Sequence, residues 1–217
     1  MILLAAVLCI SASSYAQKVT EKLTMYITMN DFLTDNRSEA AIVLHSSDDS
    51  YLVTRGFSDS QTGKRLKGIG APWSLKRGDS HYFNMLYCDD LMSGIYVRLD
   101  VVGRYCLAVL DKETYGKVKS NSINSYGYGA LGLLANNSSS WNKSLKDSTE
   151  SKMYIVIIDT HDIVPRDSPK HEGSRGYLLG KKKVAELMKS NNMEGSARDL
   201  TFEEVLALVK TENVKWK

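Results

Sequence analysis

The sequence predicts an α+β fold, mainly an antiparallel β-sheet laid out as a meander, with two C-terminal helices packed on it. Three features carry that expectation. The stretch from Trp73 to Asp111 holds four short runs rich in aromatic and β-branched residues, which suit a pleated, half-buried surface. Met153 to Ile158 is a continuous apolar run, the pattern of a central strand buried on both faces. Thr201-Phe202-Glu203-Glu204 is a capping box, with Leu200 and Val205 placed as a hydrophobic staple and Leu206 and Val209 continuing an apolar stripe.

Taken in order, Leu23 to Ile27 reads as a short strand. Thr28 to Asp31 is a helix-start box, so a single helical turn over Met29 to Leu33 follows. Ala40 to Leu44 and Tyr51 to Phe57 are strands joined through the turn-rich Ser46 to Ser50, a hairpin. Gln61 to Gly70, with three glycines and several basic residues, is a connector into the meander. Within the meander, Gly78 and Gly94 supply turns, and Val102-Gly103-Arg104-Tyr105 is short enough for a tight hairpin. Val97, Leu99 and Val101 alternate with Tyr96, Arg98 and Asp100, the period of a strand with one dry and one wet face.

Beyond Asp111 the texture turns polar. Gly127-Tyr128-Gly129-Ala130-Leu131-Gly132 fits G-x-G-x-x-G literally, but no apolar strand precedes it and Asn136 to Ser140 cuts short any helix after it. A closely packed small-residue segment explains it better than a nucleotide site, and no cofactor is expected. Asn136 to Ser151 reads as a surface loop, and Pro165 to Gly176 as another. Gly180 to Lys189 is helical, with Val184, Leu187 and Met188 on one side. Its opening Lys181-Lys182-Lys183 opposes the helix dipole, which suits either a partner or a solvated face. The last helix runs from about Phe202 to Lys210.

Met1 to Ile10 is apolar and Ser11 to Ala16 offers small residues to a signal peptidase, although no basic residues precede the apolar run. Residues 1–16 are therefore expected to be a signal peptide, cleaved to leave Gln17, with 17–217 as a single α+β domain. No stretch is long and apolar enough for a transmembrane anchor. The formal charge of +3 is too small and too dispersed to argue for nucleic acid. In an oxidising compartment Cys88 and Cys106 could bridge, a link that closes a loop of about 18 residues and is worth about 3 kcal/mol. Two buried thiols acting as small hydrophobes is the alternative that spacing leaves open.

Several groups bear on chemistry. A thiolate–imidazole pair would draw on Cys88 or Cys106 with His81 or His161, but both cysteines sit in strand-like runs without a helix N-terminus to lower a thiol pKa. Asp159, His161, Asp162, His171 and Glu172 cluster just after the apolar strand, yet no recognised zinc or calcium spacing occurs, so no metal is assigned. The sequence holds no G-x-S-x-G, and the Asp89-Asp90 pair has no partner pattern. Trp73, Tyr82 and Trp141 are candidate aromatics for a peptide or glycan groove, against the commoner explanation of core packing.

Several stretches together resemble a set of uncharacterised exported proteins of Bacteroides-type bacteria. They are the Tyr15-Ala16-Gln17 signal ending, Tyr26-Ile27-Thr28-Met29-Asn30-Asp31-Phe32, Trp73 followed by Gly78-Asp79-Ser80-His81-Tyr82-Phe83-Asn84, Gly103-Arg104-Tyr105, Gly127 to Gly132, and Tyr154 to Asp159. The resemblance implies export and one domain, and it brings no activity or site; the polar insert around Asn136 to Ser151 departs from it. The expectation is an exported envelope protein, periplasmic or secreted, acting as a non-enzymatic binding or structural module toward an envelope protein, peptide or glycan. The rival is an envelope hydrolase built around Asp159 to Glu172, with Asp159, His161 and His171 as its catalytic candidates.

Overall fold

Side chains along a strand point alternately to opposite faces, and here that alternation sorts the chain into three layers. The computed structural model describes residues 19–66, 71–88, 94–111, 113–118, 154–164 and 173–216. Its strands are β1 (Val19–Tyr26), β2 (Ser38–Ser47), β3 (Tyr51–Asp59), β4 (Ser74–Arg77), β5 (Ser80–Asn84), β6 (Ile95–Arg98), β7 (Tyr105–Leu110), β8 (Tyr154–Val164) and β9 (Gly173–Leu178). The helices are α1 (Met29–Leu33), α2 (residues 113–118), α3 (Lys181–Ser190) and α4 (Phe202–Val214), and one 3-10 turn covers Met85–Tyr87. The α+β class, the antiparallel pairing and the two C-terminal helices are as the sequence predicts.

Strands β1-β2-β3-β6-β5-β4 close into an antiparallel barrel, and β7-β8-β9 form a separate three-stranded sheet. Leu23, Met25, Ile42, Leu44, Leu52, Leu75, Tyr82 and Tyr96, drawn from every barrel strand, form one buried cluster and fill the interior. Their sequence neighbours Tyr51, Val53, Phe83, Ile95 and Val97 face outward and pack on Cys106, Ala108, Val156 and Ile158 of the three-stranded sheet. The other face of that sheet carries Leu107, Ile155 and Ile157, which meet Val184, Leu187, Met188, Val205, Leu208 and Val209 of α3 and α4. The apolar run in β8 is thus buried on both faces, as its composition requires.

Both capping boxes form: Thr28 with Asp31 opens α1, and Thr201 with Glu204 opens α4. Gly78 and Gly94 have φ of 57° and 81°, the left-handed turn conformation that glycine adopts without strain. Among the described residues no helix is long and apolar enough to cross a membrane.

The meander is shorter than predicted. Strands β4, β5 and β6 pair in sequence, but the fourth run, β7, leaves the barrel and pairs with β8 along its whole length. Only Val101 bridges back to Leu107, so the hairpin expected at Val102 to Tyr105 survives as a single bridge. The second departure is β9, in a segment expected to be a loop to Gly176. Its glycines hide the strand signal, and one of them has a packing reason. A Cβ on Gly176 would lie 2.5 Å from Cys88 Sγ, 2.9 Å from Phe83 and 3.1 Å from Val156.

That contact also decides the cysteines, which are thiols and not a bridge. Cys106, Ile158 and Gly176 stand in one row across β7, β8 and β9. With Cys88 Sγ over Gly176, the two sulfurs are separated by nearly two strand spacings, about 10 Å between the strands concerned, far beyond bonding reach. Gly176→Ala should therefore lower stability by about 1–3 kcal/mol through overpacking. Adding Cys88→Ala should recover part of the loss in urea unfolding, and equal stability of the single variant and the parent would contradict this packing.

Candidate functional site

Among the described residues, a group of charged and aromatic side chains gathers where the helix layer meets the N-terminal end of β7. Tyr105 opens β7 and is paired in register with Asp159 on β8, so both side chains share the face turned toward the helices. Arg104 precedes β7, Lys183 belongs to the first turn of α3, and Trp216 follows α4. Asp159 is buried, with Arg104 Nε at 3.6 Å from one carboxylate oxygen and Lys183 Nζ at 3.9 Å from the other. The first of these oxygens also accepts the His161 backbone N–H at 3.1 Å. The Tyr105 hydroxyl is hydrogen-bonded to Asp159. Its pKa is pushed up to about 12, first by burial and then by the negative charge of Asp159, so the phenol remains a donor.

The guanidinium of Arg104 lies 3.6 Å from the Trp216 ring centroid and 5.1 Å from that of Tyr105. Its own carbonyl accepts both Thr160 N–H, at 2.8 Å, and Thr160 Oγ1, at 2.9 Å. His161 is exposed, with its ring 5.6 Å from Trp216 in an edge-on arrangement. Trp216 keeps 53% of its surface exposed. A stacked cation holds an indole in one orientation while leaving area open to solvent.

Beneath the corner, Glu212 joins the helices. Its Oε2 accepts from Ser190 Oγ at 3.0 Å and Asn191 Nδ2 at 2.8 Å and pairs with Lys215 at 3.0 Å. Burial raises its pKa, but the hydrogen bonds from Lys215, Ser190, Asn191 and Trp216 outweigh that and leave it below the usual value.

Of the residues singled out in the sequence, Asp159 and His161 belong to this corner, but their side chains serve different partners: Asp159 the two cations, His161 the indole. His171, Glu172 and Trp141 lie outside the described residues, as do residues 1–16, expected from the sequence to be a signal peptide, and Gly127 to Gly132. Among the described residues no three His, Cys, Asp or Glu side chains gather to hold a metal. Trp73 and Tyr82, offered as groove aromatics, are core residues at 0% and 2% exposure, with no ring face open to a ligand. Burial pushes the Cys106 thiol up to about 11, and its Sγ donates to Gly103 O at 3.3 Å, so it is a poor nucleophile at neutral pH.

Sequence reasoning missed Arg104, Tyr105 and Trp216 as members of one group. A signal existed for Trp216: the buried stripe Val205, Leu208, Val209, Glu212 and Asn213 continues at helical spacing onto it. In the sequence Lys183 is one of three cations ill-placed for a helix start, and Asp159 and Glu186, each 3.9 Å away, account for it. Comparisons with protein-family models, with curated proteins and with solved structures find no match.

Proposed function

We propose that this chain is an exported protein of the bacterial envelope, periplasmic or secreted, that works as a non-enzymatic module binding an envelope glycan at the Arg104–Trp216 corner. The observation that carries the reading is the half-exposed Trp216 indole stacked on Arg104 at 3.6 Å. A large aromatic held in place before binding loses little conformational freedom when a ligand arrives. The apolar face of a sugar ring stacks on an indole, and the exposed His161, its ring 5.6 Å from that of Trp216, stands close by to hydrogen-bond hydroxyl groups. Support for export comes from the apolar opening of the sequence, followed by small residues up to Ala16.

Calorimetric titration with soluble polysaccharide and peptidoglycan fragments tests this reading. Trp216→Ala should weaken binding at least about tenfold, the loss typical of an aromatic anchor. Absence of binding by the parent protein to any of these glycans would sink the glycan assignment. A metal-dependent hydrolase activity lost in His161→Ala would sink the non-enzymatic one.

A further inference from the structure

We infer that α1 is a proton-sensitive lid, closed over an aromatic floor while His81 is neutral and loosened when His81 takes a second proton. His81 alternates with the inward Tyr82 on β5, so its ring projects on the outer side of the barrel, where α1 covers it. Its centroid is 5.2 Å from Phe32 of α1, which meets it edge-on, and 5.6 Å from Tyr26 of β1. Phe32 in turn sits 4.8 Å from Trp73, which lies 5.3 Å from Phe83. Phe32 is therefore the plug between the imidazole and the indole.

Two ring nitrogens beneath this plug are buried without a hydrogen-bond partner: His81 Nδ1 and Trp73 Nε1. A neutral imidazole with no partner at Nδ1 keeps its proton on Nε2, so the second proton must be placed on Nδ1, among rings and facing no acceptor. The charged groups around it give no net compensation, since Asp35 attracts a charge there while Lys76 and Arg37 repel it. Lys76, directly across on β4, is a cation. Arg98 ends β6 and turns to Asp100, and Leu99, just after the strand, donates its N–H to the His81 carbonyl at 2.7 Å. After α1, Asp35 accepts from Tyr26 OH at 2.9 Å and is paired with Arg37. Asp31 within α1 is taken by Thr28 and Asn36. His81 as a whole is half-buried, but its Nδ1 is sealed, so the Nδ1–H of the charged ring is hydrated only when Phe32 leaves.

The sign follows from the same contacts. In the closed state the His81 pKa lies below its ordinary 6.5, first through burial, then through Lys76 and Arg37, with Asp35 opposing. The open state binds the proton more tightly, so closure is full above the ordinary value and weakens as pH falls through it toward the closed-state pKa. Each pKa unit between the two states is about tenfold in the opening equilibrium. The carboxylates that hold α1 stay ionised in this window. Asp31 is held below the carboxylate range because its bonds from Thr28 and Asn36 outweigh burial, and Arg37 with Tyr26 holds Asp35 at about 2.

Hydrogen exchange of the segment from Tyr26 to Arg37, corrected for intrinsic rates and compared at about pH 8 and about pH 5, reads the lid directly. Protection should fall at the lower pH in the parent protein and stay constant in His81→Gln. NMR titration of His81 in the parent protein should give a midpoint below 6.5, a reading independent of whether the variant folds. Constant protection in the parent protein, an equal fall in His81→Gln, or a midpoint at or above the ordinary value would each overturn the proposal.

Discussion

Asn213→Ala is expected to lower the unfolding free energy by about 2–6 kcal/mol, because it strands two buried backbone groups at once, each worth about 1–3 kcal/mol. Asn213 projects from the last turn of α4 onto the first residue of β7. Its Oδ1 accepts the Tyr105 N–H at 2.8 Å and its Nδ2 donates to the Tyr105 carbonyl at 2.9 Å. One side-chain amide thus replaces one residue of a pairing strand. The rest of that edge is closed by the chain leading into β7: Val101 exchanges bonds with Leu107, and Asp100 Oδ2 accepts from Val109 N–H at 2.8 Å. An edge so covered offers little template to a foreign strand. Gly103 makes the clasp fit, since a Cβ there would lie 2.5 Å from Asn213 Nδ2 and 2.6 Å from its Cγ. Gly103→Ala should therefore eject the same amide, and the double variant should be little worse than the worse single one. Additive losses in urea unfolding would show that the two residues act separately.

Asn213 also shows where sequence reading ends. The elements that could be read depend on neighbours in the chain. The Thr28 and Thr201 boxes are fixed within four residues, the β4-β5-β6 meander by turns at Gly78 and Gly94, and β8 by its own composition. What could not be read depends on pairing between distant segments. The barrel closes because Met25 meets Leu75, and β7 joins β8 instead of β6, although β6 is much closer in sequence. Nothing local to Tyr105 distinguishes those two partners. The choice rests on Asp100 and Asn213 covering one edge of β7, and Asn213 acts across 108 positions of sequence.

The corner site divides the same way. Asp159 and His161 were visible because they end an apolar run, where strands hand over to loops. Arg104, Lys183 and Trp216 come from three other segments and become one group only after the sheet and helices are stacked. Trp73 and Tyr82 mislead for the opposite reason. Aromatic residues in strands are equally at home in a groove and in a core, and only the closing of the barrel and the docking of α1 settle which.

Asn84 gives the second large effect, and its two substitutions separate hydrogen bonding from charge. Asn84 ends β5 with no exposed surface, facing into the barrel beside Tyr96. Its Nδ2 donates to Pro72 O at 2.7 Å and contacts Tyr96 OH at 3.3 Å, while its Oδ1 accepts Leu86 N–H at 3.0 Å and starts the 3-10 turn. Asn84→Ala leaves the Leu86 N–H orphaned and opens a cavity, for an expected loss of about 2–4 kcal/mol that does not depend on pH. Asn84→Asp keeps the acceptor but sets a carboxylate against the Pro72 carbonyl. Burial raises the folded-state pKa of such a group above its unfolded value, so the variant should be most stable below the unfolded carboxylate pKa and lose stability as pH rises through the folded one. Urea unfolding of both variants at about pH 4 and about pH 7 distinguishes them. A pH-independent Asn84→Asp would mean that water reaches this end of the barrel and that Asn84 is not the sealed joint its contacts describe.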